Sequence, residues 1–184
     1  MISYFLELID RLIDLKQVRI EHRRELLDRI VDPAMSALGD VHRDYIRTFE
    51  SARDLVSQGD LDATRDFLRK ARLEYEPVRE RLKALSEFLA NSGEKDLAAF
   101  ANGMYFYFEI DGSTDLEAPR GVIGGGIRSI SSVWVEILGD AKSYPDFNPS
   151  DYPSLMDSNI GSLRTKWALL CQDYARIQTR WLDI

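Results

Sequence analysis

The sequence predicts an all-α fold, an elongated antiparallel helical bundle of about five to seven helices packed side by side. Three observations predict it. Apolar residues recur at alternating spacings of four and three through most of the chain, which is the stripe of a helix with one buried side. Proline, glycine and asparagine break those stripes at intervals suited to helix ends. No segment alternates apolar and polar residues as a half-buried strand would, apart from the ambiguous run 104-MYFYFEI-110.

Each element follows in order. Helix one is expected near 3–31, with Leu8, Leu12, Leu15, Arg19, His22 and Leu26 in line. Asp32-Pro33 reads as an N-cap followed by proline at the first helical position, where the missing N–H costs nothing. Helix two then runs near 33–57 on Leu38, His42, Tyr45, Phe49, Ala52 and Val56. Gly59-Asp60 closes it and caps helix three, near 60–91, whose stripe is Leu61, Thr64, Leu68, Ala71, Tyr75, Val78, Leu82, Leu85 and Leu89. Pro77 interrupts that helix at a nominal cost of about 3 kcal/mol. The stripe keeps its phase from Tyr75 to Val78, so a continuous kinked helix is expected. Asn91-Ser92-Gly93 ends it, and helix four runs near 94–110. Helix five, near 122–141, carries Ile123, Ile127, Ile130, Trp134, Ile137 and Ala141; helix six, near 154–182, carries Met156, Ile160, Leu163, Trp167, Leu170, Tyr174, Ile177 and Trp181.

At 184 residues the chain fits a single domain over 1–184, with 45% hydrophobic and 30% charged residues, too apolar for disorder. Cys171 is the only cysteine, which excludes an intramolecular disulfide and suits a reducing compartment, so a cytoplasmic location is expected. The amino-terminal run MISYFLELIDRLIDLKQ has charges inside its apolar pattern and no basic start, unlike a secretory signal. No apolar run reaches the roughly 18 residues of a membrane span. A net charge of −7 repels phosphate and disfavours nucleic acid as a partner.

The stretch 120-RGVIGGGIRSI-130 tests for a phosphate cradle. Gly121 and Gly126 have P-loop spacing, but Ile127 and Arg128 stand where lysine and the magnesium-binding hydroxyl must be. A flexible lead into helix five is the plainer reading. Arg120 and Arg128 beside a helix start leave an anion site as the functional one. Arg19 and His22 interrupt an apolar seam. They are read as a satisfied structural pair or, functionally, as an anion clamp and proton carrier in a polar pocket. Di-iron bundles need Glu-x-x-His, whereas Arg19 and Gly39 stand three residues before His22 and His42, so no metal site and no cofactor are expected. The acidic loop 109-EIDGSTDLE-117 lacks calcium-loop order and reads as a solvated turn. No serine lies in GxSxG, and Cys171 sits on helix six as a small buried hydrophobe. No catalytic residue is assigned.

On a helix, Met104, Tyr105, Phe106, Tyr107, Phe108 and Ile110 cover nearly the whole circumference, so this segment is either central in the bundle or offers an aromatic face. The expected function is a helical-bundle interaction, adaptor or regulatory protein without catalysis of its own. It would meet a protein partner or itself through Tyr105, Phe106, Tyr107 and Phe108. The alternative is an enzyme or small-anion binder using Arg19, His22, Arg120 and Arg128.

Overall fold

The structure is a computed structural model and describes residues 23–90, 94–109, 129–139 and 148–182. The described residues are all-α. Helix α1 (Arg23–Leu26) passes through a π-helical turn (Leu27–Val31) into α2 (Asp32–Ser57); α3 is Leu61–Ala90 and α4 is Lys95–Phe106. Helix α5 (Ile130–Gly139) follows, then a 3-10 turn (Pro149–Asp151) and α6 (Tyr152–Leu182). None of the described helices is long and apolar enough to cross a membrane.

The expected break at Asp32-Pro33 does not occur. Asp32 is itself helical (φ −63°, ψ −49°), and its backbone N–H donates to the Leu27 carbonyl, five residues back. Proline inside a helix removes one N–H and crowds the carbonyl four residues earlier. A π turn just before Pro33 widens the helix there and relieves that crowding.

Gly59 and Asp60 behave as their sequence implies. Gly59 takes φ +80°, its N–H donates to the Val56 carbonyl at 2.9 Å, and the Asp60 N–H reaches the Leu55 carbonyl at 3.2 Å. This double closure needs a left-handed residue, which glycine adopts without penalty. The Asp60 carboxylate then accepts from the Ala63 N–H at 3.0 Å, capping α3. Helix α3 continues unbroken across exposed Pro77. Helix α6 starts two residues earlier than predicted, because Asn148 accepts from the Ser150 N–H and Pro149 opens the preceding turn.

The chain divides into two compact units. One comprises Met1–Arg43, Tyr75–Tyr107 and Thr165–Ile184; the other comprises Asp44–Glu74 and Phe108–Arg164. In the first unit Arg23 meets Glu94 and His42 meets Tyr107, so the helical run from α1 into the start of α2 and α4 point the same way. Arg180 meets Asp96 and Leu170 meets Gly103, so α6 opposes α4. Ser86 of α3 donates to Asn102 of α4 at 2.7 Å. These helices pack around a shared core. Its centre holds Leu38, Val78, Leu82, Leu85, Leu97, Phe100, Met104 and Ile177, all buried. Burying each such side chain stabilises by about 1.5–3 kcal/mol relative to exposure.

In the second unit Arg53 pairs with Asp157 and Arg164 with Glu50, which sets α6 antiparallel to α2. Tyr45 reaches Ser131 near the start of α5, and Gly139 at its end lies beside Arg65 of α3. Phe49, Leu68, Trp134, Ile137, Met156 and Leu163 form the core.

Candidate functional site

Helix α4 and the facing part of α6 build the site in the first unit. Successive residues of 104-MYFYF-108 step about 100° around a helix. Met104 and Tyr107 therefore turn inward and are buried, Tyr105 is half-buried, and Phe106 is left 45% exposed. Helix α4 ends at Phe106, short of the predicted 110. The Lys166 ammonium of α6 donates to the Phe106 carbonyl at 3.2 Å, a cation on a carbonyl that the helix end leaves without an intrahelical donor. One turn along α6, Leu169 is 54% exposed. Gly103 faces Leu170 closely: a Cβ there would lie 2.9 Å from Leu170 Cδ2, and the end of that side chain would have to shift. The Tyr105 and Phe106 rings stand 4.9 Å apart. Phe106 with Tyr105 on α4, and Leu169 on α6, thus leave apolar surface accessible on the two helices that Lys166 joins.

Beneath that edge lies a polar and aromatic cluster. His42 Nδ1 and the Tyr107 hydroxyl form a 2.6 Å hydrogen bond, and the imidazole stacks on the Trp167 indole at 4.7 Å between centroids and 10° between planes. Gly39, one turn before His42, lies 3.5 Å from the edge of that indole at its Cβ position, leaving room for it against α2. Further along, Tyr174 donates to Asp32 at 2.9 Å and accepts from Gln178 at 2.6 Å. Burial first, and the Asp32 hydrogen bond second, push the Tyr174 phenol up to about 12. Burial also pushes the Cys171 thiol up, which disfavours the reactive thiolate; the side chain is half-buried.

In the second unit the polar groups gather at the start of α5. The Ser129 hydroxyl accepts from the Ser132 N–H at 3.2 Å as the N-cap, and lies 2.8 Å from the Ser132 hydroxyl and 3.2 Å from that of Ser131. Glu109 bridges to Ser129 and is only 2% exposed, although the sequence assigns it to a solvated turn. The Ile130 N–H donates to the Phe108 carbonyl at 3.1 Å, which ties the chain after α4 to the start of α5. An acid beside a helix start is favoured by the partial positive charge there. Trp134 Nε1 donates to Asn159 at 2.9 Å, and the Trp134 ring meets Tyr152 edge-on. Among the described residues the buried Tyr152 hydroxyl has no hydrogen-bond partner, and burial pushes its pKa up.

Of the eight residues singled out from the sequence, Arg19, His22, Arg120 and Arg128 lie outside the described residues. Tyr107 and Phe108 are fully buried, Tyr107 on His42 and Phe108 5.0 Å from the Tyr45 ring, so they serve packing and offer no free face. Tyr105 and Phe106 retain accessible surface. Sequence reasoning did not connect Lys166, Leu169 and Trp167 to this place, because their link to α4 is set by helix pairing and not by spacing. Among the described residues no three His, Cys, Asp or Glu side chains gather as a metal-binding group. Comparison of the chain with protein-family models, curated proteins and solved structures returns no match.

Proposed function

We propose that the chain is a protein-interaction module, an adaptor or regulator that works through its helical surfaces in the cytoplasm and binds a partner protein or a second copy of itself. The observation that supports this reading is the exposure of Phe106 and Leu169, 45% and 54%, on the two helices that the Lys166–Phe106 contact joins. Covering the half of each side chain that is still exposed recovers about 1 kcal/mol apiece, a contribution to the apolar centre of a modest interface. The Tyr105 hydroxyl and the Lys166 ammonium provide a polar rim of the kind such interfaces carry.

The test compares the intact chain with a Phe106→Ser, Leu169→Ser double variant by sedimentation and by quantitative capture from lysate. Concentration-dependent association, or a specific protein retained by the wild-type chain and lost by the variant, is the expected outcome. A monomer at high concentration together with identical captured sets would reject the proposal.

A second reading, a small-anion binder, would use Arg19, His22, Arg120 and Arg128, which lie outside the described residues. Phosphate or nucleotide at about 100 times its dissociation constant would then stabilise the chain by about 2.7 kcal/mol, and an unchanged melting temperature would remove this reading.

A further inference from the structure

One imidazole touches both of the segments that the Lys166–Phe106 contact joins. His42 Nδ1 lies 2.6 Å from the Tyr107 hydroxyl, and the ring stacks on Trp167. Tyr107 follows Phe106 in the chain, and Trp167 follows Lys166, whose ammonium holds the Phe106 carbonyl. Tyr107 is also the C-cap of α4, its own N–H donating to the Met104 carbonyl. The end of α4 is therefore fastened through a side chain type that ordinarily changes charge at about pH 6.5. The Tyr107 hydroxyl is fully buried, so its hydrogen needs an acceptor. Neutral His42 supplies one at Nδ1, and 2.6 Å is shorter than the roughly 2.9 Å usual when a nitrogen donates.

We propose that His42 is a pH-operated latch on the end of α4: neutral, it accepts from Tyr107 and keeps that end seated against α6; protonated, it releases Tyr107. Both nitrogens of a protonated imidazole carry hydrogen, so the phenol O–H then meets a donor in a dry site and must turn away. The charges on the elements packed against the ring do not reverse this sense. Helix α6 brings the Lys166 ammonium, a like charge, and α4 ends in 103-GMYFY-107 without a charge. On α2 itself Asp40 and Arg43 pair with each other, and Tyr45, one turn on, turns its hydroxyl to Ser131. The Trp167 stack favours a cation, but that contact is weaker than the loss of a buried hydroxyl's partner. Release of Tyr107 changes how Phe106, the residue before it, is presented. The consequence for binding, a weaker hold on a partner in mild acid, rests on the reading of Phe106 as interface surface; the latch itself does not.

The test uses the full chain. It has two histidines, so His22→Gln leaves His42 as the only imidazole in an NMR titration. Adding Tyr107→Phe removes the bond that favours the neutral ring, and His42 should then take up its proton at a higher pH. Amide exchange across residues 104–107 should match that of His42→Asn at pH 7.5 and be severalfold faster at pH 5.5, since asparagine offers an acceptor and gains no proton. Proton uptake at an unchanged or lower pH in Tyr107→Phe would overturn the proposal, because Nδ1 would then be the donor. Exchange equal to that of His42→Asn at pH 5.5 would overturn it as well. The titration needs no change at His42, so it decides the matter even where His42→Asn fails to fold. A photo-crosslinker at position 106 that gives no adduct at either pH, beside a latch that titrates as stated, would reject the interface reading alone. Adducts of equal yield at pH 7.5 and 5.5 would overturn the regulation and leave the proposed function standing.

Discussion

The Tyr174 hydroxyl donates a 2.9 Å hydrogen bond to the Asp32 carboxylate across 142 residues of sequence. Asp32 is free to accept because it is a helical residue following a π turn and caps nothing with its side chain. Tyr174→Phe should cost about 1 kcal/mol near neutral pH, since one member of the pair is half-exposed and water replaces part of the bond. The pH dependence has a definite sign. The phenol sits at about 12 when folded, raised chiefly by burial, against an unfolded value near 10. Its contribution is complete below about pH 10 and is lost as the pH rises through 10 toward 12. Urea unfolding at pH 9 and 11 should show a steeper loss for the wild type than for Tyr174→Phe.

His42 and Tyr107 give a second, asymmetric prediction. His42→Ala should cost about 2–4 kcal/mol, because it removes the stack on Trp167 and takes the hydrogen-bond partner from a buried phenol. Tyr107→Phe should cost about 1 kcal/mol, since the half-buried imidazole can turn to water. Equal costs in urea unfolding would contradict this asymmetry.

What the sequence disclosed and what it hid divide along these lines. The stripes on α3 and α6 were legible because burial on a helix repeats with the helix period. Leu68, Val78 and Leu85 are fully buried, as are Met156, Leu163 and Ile177. The Gly59-Asp60 turn was legible because its requirements are local. Asp32 was misread because the local cap signal was the same whether or not a π turn absorbed Pro33. Glu109 was misread because its burial follows from pairing with Ser129, twenty residues away. His42 with Tyr107 and Lys166 with Phe106 are long-range contacts that no spacing encodes.

Glycine substitutions separate backbone from packing effects. Gly161 lies inside α6 with nothing within 4 Å of a built Cβ, so Gly161→Ala should stabilise by about 0.5–1 kcal/mol. Gly59, at φ +80°, should lose about 1 kcal/mol as alanine although its surroundings are equally open. Thermal melts of both variants check the contrast.

Asn159→Leu should destabilise by about 1–3 kcal/mol, because the Trp134 indole N–H would remain buried without its acceptor. Tryptophan emission during urea unfolding reports it, with the midpoint falling and the slope unchanged.

The most direct measurement places a genetically encoded photo-crosslinker at Phe106 of the intact chain in its native cell. The expected result is a discrete covalent adduct with a second polypeptide, either another copy or a different protein, that disappears when Leu169 is changed to Asp. A chain that yields no adduct from position 106 or from position 169 would contradict the reading of this edge as an interface.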